Sequence, residues 1–581
     1  MLASALLQFT PLRANLTAER EDLRRAVGQQ LRSYREGLSV LSAAGSLPRP
    51  RPIPLTYQVW RLQYAQSATQ ILSSEMAITD FFQRDGIDGR LLILGEPGMG
   101  KTHTLLAMGE HLLDRTAQAG PIPVLVDLSA WAGEPLEPWL VAYLWEGYRL
   151  CQPVATQWLQ SAQFTLLLDG FDHLSPAQQR ACAKEINTLL RSNANQTALL
   201  CCRRQVLETS GIGFDDSFNG GLFIQPLPAQ QVKDYLFAQG CEDLWPQVKA
   251  SKALQPLGRF PLYLTLFVAL NAHTNLSAIA GKEALVQAFL HHALDHRPHP
   301  ATPEERATLR WIATQSAHRP RAMRIDQLGL TWLPESQRLI YRGLLGLAFL
   351  LIFTLVGGSP GLGLAWGLAF SQLDLESFPY IHRSLALASW RGLVGLVLVC
   401  TLPALGLGLG MGGLGVLLLA RFNLALPAFG WGGLVGVILG WGLGVGVGLG
   451  GGLPRGIQTR QHPNQDGIMA LRNGVILFGG LALVLGLVLV VPAVVMGQPP
   501  LTLISLPRLR VILAALISAY LWFSGALQQG ILRLLLTRAP SHLPWALTPW
   551  LQRWVQRRVL VQASGDYSFV HDILREALTQ D

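Results

Sequence analysis

Residues 91–113, LLILGEPGMGKTHTLLAMGEHLL, join a short apolar run, a glycine-rich loop and a stretch with Leu and Met at helical spacing. The run is too short for a buried helix, and the glycines accept backbone angles that other residues avoid, so strand, tight loop and helix must follow one another. Gly95, Gly100, Lys101 and Thr102 satisfy GxxxxGK[ST]; Glu96, Pro97, Gly98 and Met99 fill the loop and His103 follows it. In such a loop the backbone N–H groups turn inward on phosphate, Lys101 reaches the β and γ oxygens of a nucleotide, and Thr102 offers its hydroxyl to Mg2+.

A phosphate loop needs an acidic centre beside it. QFTLLLDGFDHL, residues 163–174, ends an apolar strand in Asp169, placed to hold Mg2+, and Asp172 is the nearest candidate to polarise an attacking water. IPVLVDLS (122–129), TALLCCR (197–203) and GLFIQPL (221–227) read as further strands separated by helical patterns. An α/β fold follows, a parallel sheet with helices on both faces and its ligand at the carboxyl ends of the strands. Arg203 ends one strand, placed either to contact a γ-phosphate or simply to face solvent there.

Residues 340–527 answer to a different solvent. VILFGGLALVLGLVLVVPAVVMG (475–497) exceeds the roughly 20 apolar residues that cross a bilayer and carries no Lys, Arg, Asp or Glu. Gly392–Ala420 and Leu424–Gly452 are also uncharged, and as single helices would reach about 43 Å against a hydrocarbon core of about 30 Å, so short paired helices fit better. Six to eight crossings are expected. Arg383, Arg391, Arg421, Arg455, Arg460 and Arg472 fall between the apolar blocks, with Arg533, Arg538, Arg553, Arg557 and Arg558 after them. The positive-inside rule makes that side cytoplasmic, together with both termini, although Arg508 and Arg510 fit less well. The net charge of +9 is explained by this topology, and no interleaved basic and aromatic pattern points to nucleic acid. MLASALLQFTPLR is too short and interrupted for a signal peptide.

LLILGEPGMGKT, LLLDGFDHL and TALLCCRRQVL, in that order, resemble the NACHT family of STAND-type P-loop NTPases. The resemblance implies a phosphate loop, a magnesium strand and an arginine-ended sensor strand. RFPLYLTLFVAL (259–270) is similar to the family's helical segment whose proline, here Pro261, approaches the nucleotide. YSFVHDILREAL (567–578) looks like its winged-helix segment, in which a histidine, here His571, touches the bound diphosphate. IDQLGLTWLPESQRLIY (325–341) looks like the start of the same region, so the membrane block is expected as an insertion. The family usually has an acid where this chain has His173: either Asp172 suffices for hydrolysis, or turnover is slow and nucleotide exchange matters more.

The implied organisation is an N-terminal helical segment and linker (1–54), a P-loop NTPase domain (55–230), a helical domain with the start of the winged-helix-like region (231–339), a multi-pass membrane domain (340–527) and the cytosolic end of the winged-helix-like region (528–581). The implied function is an ATP/ADP-controlled signalling switch in a membrane, with Mg2+, slow ATP hydrolysis, an unidentified protein or ligand trigger, and homo-oligomerisation on activation. An ATP-driven transporter is the main alternative, weakened by the absence of an LSGGQ-like signature and the scarcity of intramembrane charge. A membrane scaffold with a structural nucleotide site is another. HHALDHRPHP (291–300) suggests a metal, but only His292 and His296 share a helical face. Cys151, Cys182, Cys201, Cys202, Cys241 and Cys400 form no CxxC pair. Trp545, Trp550 and Trp554 are expected either at the lipid headgroups or in the winged-helix core.

Overall fold

The computed structural model of the chain describes residues 16–39, 53–60, 71–356 and 526–580, with short interior gaps, and a few isolated positions between 358 and 517. Two compact units form: Arg20–Ile325 with Pro540–Asp581, and a second drawn mainly from the chain between them.

Seven strands of the first unit make one sheet: β1 (Tyr57–Trp60), β2 (Ile71–Leu72), β3 (Arg90–Leu94), β4 (Ile122–Asp127), β5 (Phe164–Asp169), β6 (Thr197–Cys202) and β7 (Gly220–Ile224), in the order β2-β1-β7-β3-β6-β5-β4. The five from β7 to β4 are parallel. Their sequences are continuous apolar runs rather than alternations, as expected of strands covered on both faces. The wholly parallel sheet expected from sequence needs correction, because β1 joins β7 and β2 antiparallel at one edge. Strands of four and two residues carry too little periodicity to be read beforehand.

Helix α1 (Leu16–Ser39) lies on α2 (Lys101–Arg115), the helix that follows the glycine loop. Small residues permit the approach: a Cβ at Gly28 would stand 3.0 Å from Leu113, and one at Gly109 would stand 2.6 Å from Leu167 and 3.1 Å from Leu31. Arg35 pairs with Glu110 at 2.6 Å, and Arg24 donates to the Leu113 carbonyl at the end of α2. Helix α3 (Pro176–Ser192) starts with a capping box in which Ser175 and Gln178 exchange hydrogen bonds. Arg90, buried at the start of β3, donates to the carbonyls of Leu190, Asn193, Ala194 and Gln196, and so closes the far end of α3.

Beyond the sheet come α4 (Pro261–Leu270), α5 (Lys282–Asp295) and α6 (Pro303–Ser316). Helices α7 (Glu335–Leu355) and α8 (Ala526–Leu536) belong to the second unit. Helix α9 (Leu547–Gln556), hairpin β8 (Leu560–Ala563) and β9 (Asp566–Phe569), and α10 (Asp572–Gln580) complete the first. Tyr567 forms a two-way backbone bridge with Met323, Thr308 Oγ1 donates to the His542 carbonyl at 3.2 Å, and α10 packs on α5 and α6. Trp550 and Trp554 are buried edge to face, 5.6 Å between centroids, while Trp545 is exposed. Two of the three tryptophans are therefore core residues, and Arg557 stacks on Trp554 at 4.9 Å.

In the second unit α7 packs on α8 along Tyr341, Leu345, Phe349 and Phe353, one residue every four. Leu347, Leu351 and Leu355 on α7 are exposed. Among the described residues α7 alone is long and apolar enough to cross a membrane. Most of the segment 340–527 in which the crossings are expected, with the arginines assigned between them, lies outside the described residues.

Candidate functional site

The strand order sets the site. The chain leaves β3 for the far edge at β4, returns through β5 and β6, and then passes to the other side of β3 at β7. The carboxyl ends of β3 and β6 thus flank the point where connections diverge, the usual crevice of an open parallel sheet. Strand β6 lies between β3 and β5, so Arg203 follows the strand that separates the glycine loop from Asp169, at the end of β5, and Asp172, in the turn after it.

Gly98 and Gly100 adopt φ of +82° and +94°, the left-handed region that glycine enters without strain. The loop is pinned from outside: the Leu262 N–H donates to the Gly98 carbonyl at 3.2 Å, which fixes the start of α4 and its first residue, Pro261, beside the loop. A Cβ at Gly98 would stand 3.0 Å from Leu262, and one at Gly100 3.2 Å from Leu55. Met99 is buried, Glu96 is exposed, and His103 lies in the first turn of α2. Tyr57 and Thr104 share a buried hydroxyl hydrogen bond of 3.0 Å, which ties antiparallel β1 to α2.

Lys101 curls back over its own loop. Its Nζ donates to the Gly95 carbonyl at 2.8 Å and reaches Glu96 O at 3.5 Å and Asp172 Oδ2 at 3.7 Å. Thr102 Oγ1 donates to Asp169 Oδ2 at 2.9 Å. A hydroxyl and a carboxylate at this spacing are the hard oxygen donors that Mg2+ takes from a protein when phosphate and water complete its shell. The structure therefore brings Gly95–Thr102 and Asp169 together as one cluster.

Asp172 is the hub. Its Oδ1 accepts the Arg203 backbone N–H at 2.7 Å, while Oδ2 faces Arg203 Nε at 3.4 Å as well as Lys101. Burial pushes its carboxyl above the ordinary range; Lys101 and the Arg203 groups pull it back without cancelling the rise, to which nearby Asp169 adds. In this conformation Asp172 organises two cations, and the water-polarising role read from sequence requires one of them to move away. Arg203 Nε makes no hydrogen bond, and its charge is met by Asp172 Oδ2 as an ion pair, with the side chain 38% exposed. Cys201, on β6 under the site, is fully buried and points its thiol at the Lys101 carbonyl, 3.6 Å away; burial drives its pKa well up, which makes it an inert packing residue.

His571 caps its own helix: its Nδ1 accepts the Ile573 N–H at 3.2 Å. The side chain that reaches the turn after β5 is its neighbour, with Asp572 Oδ2 3.2 Å from His173 Nε2. Neither residue of that pair was marked by sequence as a contact. Asp127, which ends β4 in register with Asp169, was also missed as part of the turn; an aspartate ending a second apolar strand is the signal that could have found it. Compared with known proteins, the chain matches no family model and no curated protein sequence.

Proposed function

We propose that the chain is a membrane-anchored, NACHT-like nucleotide switch that binds ATP and ADP with Mg2+ and hydrolyses ATP slowly. The observation that carries this reading is the convergence of Lys101, Thr102, Asp169, Asp172 and Arg203 at the carboxyl ends of three neighbouring strands. Phosphate would lie over the left-handed glycines, draw Lys101 from the Gly95 carbonyl, and compete with Asp172 for the Arg203 guanidinium. Mg2+, when bound through Thr102 and Asp169, would neutralise phosphate charge. Slow turnover follows from Asp172 being held by two cations, with His173 where the family's acid stands. Pro261 and His571 are the further nucleotide contacts in this reading, made from α4 and α10.

The membrane part rests on the exposed apolar face of α7 and on the uncharged runs that follow it in sequence. With the winged-helix-like region begun near Ile325 and ended by β8, β9 and α10, a polytopic insertion would be attached to the nucleotide-responsive region at both ends. Nucleotide state and membrane conformation would then bias each other. The test uses the full chain in lipid nanodiscs. ATP and ADP with Mg2+ should raise its thermal midpoint and ATP should be hydrolysed slowly, both lost in Lys101→Ala; wild-type protein indifferent to nucleotide overturns the reading.

A further inference from the structure

Asp172 and His173 are consecutive in a short 3-10 turn, yet they face different parts of the protein. Asp172 holds Lys101 and Arg203, while His173 Nε2 lies 3.2 Å from Asp572 Oδ2 at the first turn of α10. The turn is rigidly set: Gly170 before it has φ of +81°, the His173 N–H returns to the Gly170 carbonyl at 3.0 Å, and Phe171 is buried edge-on against Phe214. The acceptor is set as well. Arg575 approaches the other oxygen, Asp572 Oδ1, at 3.5 Å and donates to the Ser316 carbonyl at 3.3 Å, at the end of α6. Neither His173 nor Asp572 is more than about a quarter exposed, with side chains at 15% and 24%.

We infer that His173 is a positioning residue that docks α10 onto the end of β5, so that release of bound ADP requires the His173–Asp572 contact to open. An acid at position 173 would place two carboxylates within hydrogen-bond distance, whereas an imidazole protonated at Nε2, neutral in that tautomer or charged, donates to Asp572. Because Asp172 is bonded to the phosphate-binding cations and His173 follows directly, any shift of Asp172 on nucleotide exchange is passed to α10 through one peptide unit. This inference rests on the nucleotide-switch reading for its ligand, but the contact itself does not.

The experiment therefore has two readouts on the full chain in nanodiscs: dissociation of a fluorescent methylanthraniloyl-ADP, and hydrogen exchange of α10 amides without nucleotide. His173→Glu should speed ADP release by roughly 5- to 20-fold, within the span of ordinary coupling between sites, and raise α10 exchange. His173→Gln, which keeps a donor, should stay near wild type. Adding Asp572→Asn to His173→Glu supplies an amide donor to the new carboxylate, leaves an oxygen for Arg575, and should restore both readouts. Exchange measured without nucleotide separates loss of docking from simple repulsion of ADP by the new acid, which would speed release and leave α10 exchange unchanged. Unchanged release and exchange in His173→Glu, or a double variant as loose as the single, overturns the inference. If wild type binds no labelled ADP the switch reading fails, and the exchange data alone decide whether the contact docks α10.

Discussion

Thr102 Oγ1 donates to Asp169 Oδ2 at 2.9 Å, joining the first turn of α2 to the end of β5 across the intervening strand β6. Each side chain comes from a different βα unit, so the bond exists only when the parallel sheet is correctly ordered. In the proposed reading it pre-forms the two protein donors for a magnesium ion, which would make binding sensitive to either one.

Thr102→Val keeps the volume and removes the hydroxyl. Nucleotide affinity in Mg2+ should fall about tenfold or more, while affinity in EDTA should change little, because only the metal-dependent part uses the hydroxyl. Isothermal titration with ADP in the two buffers measures the difference; equal losses in both would show that the substitution damaged the loop itself.

Asp172 should give stability an inverted pH dependence. Its folded pKa is raised above 3.8, so the native protein binds more protons than the unfolded chain between the two values, and this group's contribution to stability falls as pH rises through that window. Asp172→Asn removes the titration. The urea midpoint of the variant relative to wild type should therefore climb from pH 4 towards neutrality and level off above the folded pKa. A difference that shrinks with pH would mean that the pairing with Lys101 and Arg203 outweighs burial.

The local parts of the site were legible in the sequence because their signals are short in range. GEPGMGKT fixes a loop by its glycines and a lysine, and FTLLLD fixes a strand end by an apolar run meeting an acid. What was not legible depends on residues far apart in the chain. The ion pairs of Asp172 with Arg203 and Lys101 join three separate stretches of the chain, and His173 reads as a missing acid until Asp572, roughly 400 positions later, arrives beside it. The His571 ring accepts the Ile573 N–H at the start of α10, and the aspartate that follows it reaches His173, a pairing that no local pattern announces. Strands β1 and β2 escaped for a simpler reason, since two to four residues cannot display a period.

Gly170→Ala tests the turn that presents Asp172 and His173. At φ of +81° an L-residue is strained by about 1–2 kcal/mol, and the added Cβ would stand 2.5 Å from Asp127 Oδ1, so Asp127 or the turn must shift. The variant should lose roughly 2 kcal/mol of stability in urea titration and weaken nucleotide binding as well. Gly133→Ala is the matched control: its φ is +115°, but nothing lies within 4 Å of its Cβ, so it should carry backbone strain without loss of nucleotide affinity.

Arg90 tests how far stability depends on one buried cation away from the site. Its guanidinium serves four carbonyls, from Leu190, Asn193, Ala194 and Gln196, at 2.7–3.1 Å, and burial lowers its pKa, a desolvation cost that those acceptors work against. Arg90→Met keeps the apolar stem in β3 and leaves the end of α3 without its donor. With hydrogen bonds to a charged group worth about 1.5–3 kcal/mol and not additive, a loss of about 3 kcal/mol is expected. Arg90→Lys should recover less than half of it, because an ammonium cannot reproduce the planar fork. Urea unfolding followed by tryptophan fluorescence separates the outcomes: a lysine variant as stable as wild type would show that charge alone, and not the fork, closes α3.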